Sequence, residues 1–436
     1  MFQVGFARVD VTPPLGNPLA GYFVERRADG MLDPIELNAM AAGDGANTVV
    51  VITGDFLYVA ESAATPIREM ISRATTIPVN HIMIHGLHQH TSVRIGNRSV
   101  IPMEHTVTDT SYLDLLYRKF CDVAKMAVDD MAEATMWTAQ KETAEPISFI
   151  RRFRMKDGTV KSNPGLFNPN IEGPIGEADN MVRLVRFKRA GKKDIALVNF
   201  STHPDVIGGT KFSADWPGFV RRMTEADIPD THCLLINGPQ GDTNHFNVNK
   251  AYDTTPEGGY AYSKFMGRTI TDVVIDIWDK VEEKHADRVS GEVRMLYIPT
   301  NTKGIERIEE MQQLKIGLEQ GTVRDPERTL QVSMERILEL KEETLFRKLP
   351  ITVFGLGEVV LAGYGGEAFT QYAKAAREAA PKLFVLGLCC ANGGQGYLPT
   401  KEAFAEGGYE AAKSRFVPEL ADMIQEAVEE MLVGHS

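Results

Sequence analysis

The stretch HIMIHGLHQHTS, His81–Ser92, sets a short apolar run directly before His85, His88 and His90. Residues two apart in an extended segment point the same way, so His88 and His90 can be aimed at one point. Imidazole is the commonest protein ligand for a divalent transition metal, although a His-x-His pair also occurs as a hydrogen-bonded loop with no ion. Upstream, NTVVVITGDF, Asn47–Phe56, is a β-branched run of the kind buried in a central sheet, and Ala60 to Thr75 between the two reads as a helix. Strand, helix, strand and then a histidine-bearing loop imply parallel pairing through a crossover. The expected fold is therefore α/β: a mixed, largely parallel central sheet or sheets flanked by helices, with the site at the carboxyl ends of the strands.

The remainder of the chain repeats that arrangement. Asp194–Phe200 is an apolar strand that runs into Ser201-Thr202-His203-Pro204, and Cys233–Asn237 exits into Gly238-Pro239-Gln240-Gly241-Asp242-Thr243-Asn244-His245. Val359–Ala362 leads to Gly363-Tyr364-Gly365-Gly366-Glu367, and Phe384–Leu388 leads to Ala391-Asn392-Gly393-Gly394-Gln395-Gly396-Tyr397. Gly-, Asp- and Asn-rich turns expose backbone where a ligand can approach. Asp55, His88 with His90, His203, Asp242 with Asn244, Glu367 and Tyr397 thus all fall just past strand ends, the edge where open α/β sheets bind ligands. Two histidines and a carboxylate with one position left open is the composition of a catalytic zinc site; a closed structural site would favour cysteines.

Elsewhere the sequence specifies packing. Asp109-Thr110-Ser111 is a helix cap before Leu113, Leu116, Phe120, Val123 and Ala127. Asp157-Gly158 is a hairpin turn, with Arg151, Arg152 and Arg154 on its first strand. Met266–Trp278 and the C-terminal segment with Leu420, Ile424, Val428 and Leu432 have amphipathic helix spacing. Residues 305–348 turn strongly charged and read as two peripheral helices inserted into a single catalytic domain spanning 1–436.

Composition narrows the function. The chain has 436 residues, 43% hydrophobic and 24% charged, with a formal charge of −12, so no nucleic-acid or anionic-membrane partner has electrostatic support. Cys121, Cys233, Cys389 and Cys390 show no C-x-x-C spacing. No leader pattern opens the chain and no apolar run approaches about 18 residues, so a cytoplasmic protein acting on a small molecule, without stable membrane association, is expected.

FARVDVTPPLGNPLAGY, HGLHQHTS, NFSTHPD with SADWPG, NGPQGDTN, GYGGEAF and ANGGQGYLPT follow the order seen in the neutral, non-lysosomal ceramidases, a family that nearly the whole chain resembles. The resemblance implies one zinc ion per chain held by His88, His203, Glu367 and Tyr397. It implies that His90 lines the reaction centre, that Arg151 binds substrate and that Tyr409, twelve residues beyond Tyr397, donates to an oxyanion. Asn244 stands where those enzymes carry a serine proposed as a nucleophile or oxyanion helper, so no acyl-enzyme forms at that position, and the appended β-sandwich domain of full ceramidases is not expected.

The resulting expectation is a zinc-dependent hydrolase, a ceramidase-like amidohydrolase acting on a small polar substrate and not on long-chain ceramide. Zinc would lower the pKa of its water from about 15.7 toward about 7. That water attacks an amide or ester carbonyl, with His90 as general acid or base, Tyr409 and the Asn244 amide on the oxyanion, and Arg151 and Asp242 on the substrate. Two other readings fit the same residues: a zinc lyase or lactone/sugar-acid hydrolase, and a non-catalytic binding protein on the same scaffold.

Overall fold

The computed structural model describes residues 1–22, 25–96, 108–324, 326–340 and 345–435. Its larger sheet runs β8(Thr231–Asn237)-β7(Asp194–Phe200)-β6(Met181–Arg189)-β5(Ala132–Glu142)-β1(Gln3–Asp10)-β2(Glu36–Gly43)-β3(Thr48–Gly54)-β4(Ile82–Gly86), with Glu282–Lys284 added to β5. A smaller sheet runs β9(Val289–Pro299)-β10(Phe346–Leu356)-β11(Val359–Tyr364)-β12(Phe384–Leu388).

The sheets pack face to face. Val49 and Val51 of β3, Ile195 and Leu197 of β7, and Val359 and Leu361 of β11 share one buried cluster between them. The alternate residues point outward, as the pleat requires. Val50 and Ile52 meet α1(Glu61–Thr75) and α2(Thr110–Asp129). Ala196 and Val198 meet α3(Asp215–Asp227) and α4(Pro256–Ile277). Val360 and Ala362 meet α7(Thr370–Ala379) and α10(Leu420–Val433). Helices, sheet, sheet and helices form four layers, which is why these strands read as continuous apolar runs: both of their faces are buried.

The sheets are mixed, but parallel pairing is confined to β3–β4, β7–β8 and β11–β12. The other sheet pairs are antiparallel, so the sheets are mixed as expected, with a smaller parallel share than expected. Each parallel pair is joined by a crossover helix, α1, α3 or α7, and each delivers two loops to the same edge. Hairpin and meander connections build the rest, and a hydrophobic run does not distinguish them from crossovers. The site therefore sits where the carboxyl ends of three parallel pairs converge.

Within 305–348, α5(Ile308–Glu319) and α6(Arg328–Leu338) form as expected, but Phe346–Lys348 already belong to β10; residues 325 and 341–344 of that segment lie outside the described ones. Asp109 caps α2, its side chain accepting from the backbone N–H of Ser111 and Tyr112. The Asp157-Gly158 turn joins the paired strands Arg152–Met155 and Val160–Ser162.

Candidate metal centre and its surroundings

His88 and His203 each leave a strand end, after β4 and β7, and each is oriented through its Nδ1. That of His88 lies 2.9 Å from the Leu57 carbonyl and that of His203 lies 2.8 Å from the Gln240 carbonyl. A carbonyl only accepts, so Nδ1 carries the proton and each neutral ring turns an Nε2 lone pair inward. Both Nε2 atoms lie 3.4 Å from the same atom, Oε2 of Glu367. That oxygen is buried and makes no hydrogen bond.

Three lone-pair atoms closing on one point, with an ionised carboxylate among them, repel one another unless a cation lies between. The separations match about 3.3–3.4 Å, the spacing of ligands about 2.05 Å from a tetrahedral centre. Nitrogen and oxygen donors of this kind fit zinc. The resemblance's fourth ligand, Tyr397, is placed by backbone pairing: Glu367–Ala368 runs parallel to Tyr397–Leu398, with Glu367 and Tyr397 as Cα partners. His88, His90 and His203 can also form a metal-binding group, their ligand atoms lying within 4.8 Å of one another.

His90 shows a different environment. Its ring is 5.1 Å from that of His88 and 6.0 Å from that of His203, and neither ring nitrogen has a hydrogen-bond partner. Burial and the neighbouring histidines keep it neutral. Asp205 Oδ1 approaches Nδ1 at 3.5 Å and accepts from the Tyr22 hydroxyl at 2.5 Å. Arg26 stacks 3.8 Å over the Tyr22 ring and donates to the His90 carbonyl at 2.5 Å. Gly21, at φ 95°, lies under the imidazole, where a Cβ would come within 2.4 Å of Nδ1. Between the two histidines, Gln89 donates to Asp55 at 3.0 Å, and Asp55 pairs with Arg221 at 2.6 Å, all fully buried. Asp55 thus stands behind the loop as its anchor.

The other expected site residues divide. Arg151 comes to the centre, with Nη1 3.4 Å from His203 Nε2 and its guanidinium 5.0 and 5.8 Å from the rings of Tyr397 and Tyr409. Its Nε donates to Glu410 at 2.8 Å, and Glu410 is fully buried, so the charge is already balanced and only Nη2 lacks a partner. Past α8(Lys401–Glu406), Tyr409 opens α9(Tyr409–Lys413), its ring 5.6 Å from that of Tyr397. Asp242 does not offer its carboxylate to the site: its oxygens accept from the Thr370 N–H and hydroxyl, each at 2.9 Å, which holds the start of α7. Asn244 donates to Asn163 and accepts from the Phe246 N–H at 3.0 Å, so its amide ties two loops together. His85 is also structural, accepting from the Asn237 N–H at 3.0 Å.

Sequence reasoning missed Tyr22, Arg26, Asp205, Glu410 and Lys413. Asp205 stands two residues beyond His203 in the same loop, Tyr22 closes the first motif, and Glu410 and Lys413 follow Tyr409 by one and four residues; adjacency to those positions was the signal, and only Arg26 carried none.

Comparison with family models finds no match, and comparison with curated protein sequences finds none. Among solved structures, a neutral ceramidase from Pseudomonas aeruginosa superposes with a TM-score of 0.75 at 15% identity, covering 99% of this chain and 74% of that one. A structure described as ceramidase complexed with C2 gives 0.72 at 15% identity, covering 99% and 75%. The chain carries a ceramidase-like fold.

Proposed function

We propose that this protein is a zinc-dependent hydrolase that cleaves an amide or ester bond of a small polar substrate, with the metal held by His88, His203, Glu367 and Tyr397. The observation that carries this reading is the convergence of two inward Nε2 atoms on the otherwise unpartnered Glu367 Oε2, at 3.4 Å each. Bound there, zinc supplies a Lewis acid that polarises a carbonyl and makes water acidic enough to react at neutral pH.

The chain's own groups do the rest. The Leu57 and Gln240 carbonyls fix the tautomers of the two histidines, so the donor set is assembled before substrate arrives. His90 takes the proton from the attacking water and returns it to the leaving group; being neutral, it can accept at ordinary pH. Asp205 faces its Nδ1 at 3.5 Å, which leaves the Nε2 side for the reaction. Tyr409 Oη donates to the substrate oxygen as negative charge develops. Arg151, its charge balanced by Glu410, presents Nη2 as a hydrogen-bond donor to the same region. Asp242 and Asn244 act through the loops that they fasten.

Hydrolysis of amide and ester substrates in ¹⁸O water tests the reaction class. Label should enter the acid product, activity should vanish on chelation and return with zinc, and no labelled peptide containing Asn244 should be trapped. Product without label would replace hydrolysis by elimination.

A further inference from the structure

Neither ring nitrogen of His90 makes a hydrogen bond among the described residues, yet a neutral imidazole that serves as general base has to turn its bare nitrogen to the water and its protonated one elsewhere. The two sides of this ring are unequal. Gly21 and Asp205 both lie on the Nδ1 side: Gly21 fits there because it lacks a Cβ, and Asp205 Oδ1 stands 3.5 Å from Nδ1. A carboxylate only accepts, so the proton that suits this side belongs on Nδ1.

Three separate segments hold the carboxylate in place. The Tyr22 hydroxyl donates to the same Oδ1 at 2.5 Å, and the Tyr22 ring meets the imidazole edge to face, the centroids 5.6 Å apart. Arg26 lies over the Tyr22 ring at 3.8 Å. Its Nη2 donates to the carbonyls of Ala20 and His90 at 3.0 and 2.5 Å, and its Nη1 to that of Gly209 at 2.8 Å. One guanidinium thus ties the segment of Tyr22 to the loop of His90 and to the loop of Asp205. Backbone bonds repeat the tie, from the Ala20 N–H to the Ser92 carbonyl at 2.8 Å and from the His90 N–H to the Pro204 carbonyl at 3.3 Å. Just past Asp205, the Val206 and Ile207 N–H groups donate to Asp215 at 2.9 and 3.2 Å. Arg26 gives its terminal donors to carbonyls, so the Asp205 carboxylate is left to Tyr22 and His90.

We propose that Tyr22 and Asp205 are positioning residues for His90: the Tyr22 hydroxyl fixes Asp205 against the Nδ1 edge, and Asp205 keeps the proton there, so that Nε2 is the nitrogen that takes a proton from the attacking water. This rests on the hydrolase reading and deepens it. The carboxylate–imidazole contact tightens as the ring gains its second proton, when the two groups become oppositely charged.

Two-bond ¹H–¹⁵N spectra of zinc-loaded protein labelled with ¹⁵N-histidine read the tautomer, the His90 signals being those lost in His90→Gln. In the parent, His90 should carry its proton on Nδ1. Asp205→Asn should move it to a mixture or to the Nε2-protonated form, and should cut kcat on 4-nitrophenyl acetate by about a hundredfold while KM and zinc content hold. Tyr22→Phe keeps the ring beside Arg26 and loses only the hydroxyl; it should loosen the tautomer in the same direction and lower kcat by about tenfold. A carboxylate that merely braced the loop would leave His90 in its parental tautomer in both folded variants, and that result overturns the inference. So does an Nε2-protonated His90 in the parent, or a rise in KM at unchanged kcat, which would make Asp205 a substrate contact. If zinc-loaded protein hydrolyses neither 4-nitrophenyl acetate nor N-acetylglycine, the hydrolase reading falls instead, and the spectra alone decide the inference: a tautomer that depends on Asp205 and Tyr22 supports it, and one that does not overturns it.

Discussion

At His88 the backbone takes a left-handed conformation, φ 78°, which costs a residue with a Cβ about 1–2 kcal/mol. The strain is held by the His88 N–H bond to the Phe56 carbonyl, 2.8 Å, and the ring's contact with the Leu57 carbonyl. Together they aim Nε2 at Glu367. The buried Glu367 oxygen is equally costly without a cation. Glu367→Gln should therefore abolish stoichiometric metal binding yet stabilise the metal-stripped protein by about 1 kcal/mol, because the new amide can donate to the facing histidines; a metal-stripped variant that melts lower than the parent would contradict this. His90→Gln separates general acid–base chemistry from ligation. It should cut kcat by about a hundredfold or more with metal content unchanged, and loss of the metal would make His90 a ligand. At this scale the sequence disclosed which residues carry chemistry and not their partners. Arg151 reads as a substrate binder until Glu410, 259 positions away, is seen to balance its charge, and Asp242 reads as a substrate contact until Thr370 is seen to occupy it.

Elements were legible wherever one short-range signal decided them: the Asp109 cap, the Asp157-Gly158 turn, and the strands whose carboxyl ends carry the motifs. Their pairing was not, because an apolar run buried on both faces looks the same beside a parallel or an antiparallel neighbour. The loops from the parallel pairs are placed by close backbone approach. Gly21 illustrates this: at φ 95° it fits under His90 where a side chain cannot. Gly21→Ala should cost about 1–2 kcal/mol in stability from backbone strain and lower kcat by displacing His90. Unchanged kcat in the folded variant would show that the imidazole is not held from that side.

For the whole molecule, the four-layer architecture buries histidines that the unfolded chain exposes. Burial pushes His85 and His245 down to about 3. Their folded values lie below the unfolded value of about 6.5, so the unfolded state binds protons first on acidification. Stability is complete above about pH 6.5 and falls as pH drops toward 3. Asp205, pushed up to about 6 chiefly by burial, works with the opposite sign and offsets part of the loss. With metal removed, the denaturant midpoint should fall between pH 7 and pH 5 by the equivalent of about 1–2 kcal/mol per buried histidine. A midpoint that does not move would mean those rings are charged or solvated in the folded state.

The central claim is that residues from four distant places in the chain share one metal ion. Elemental analysis of the purified protein beside His88→Ala, His203→Ala, Glu367→Ala and Tyr397→Phe measures it most directly. About one zinc per chain is expected in the parent, with zinc lost from the first three variants and held more weakly in the fourth, while far-ultraviolet circular dichroism shows each chain folded. Parent protein that retains no zinc after equilibration and dialysis, or folded variants that keep the parent's full complement, would contradict the account.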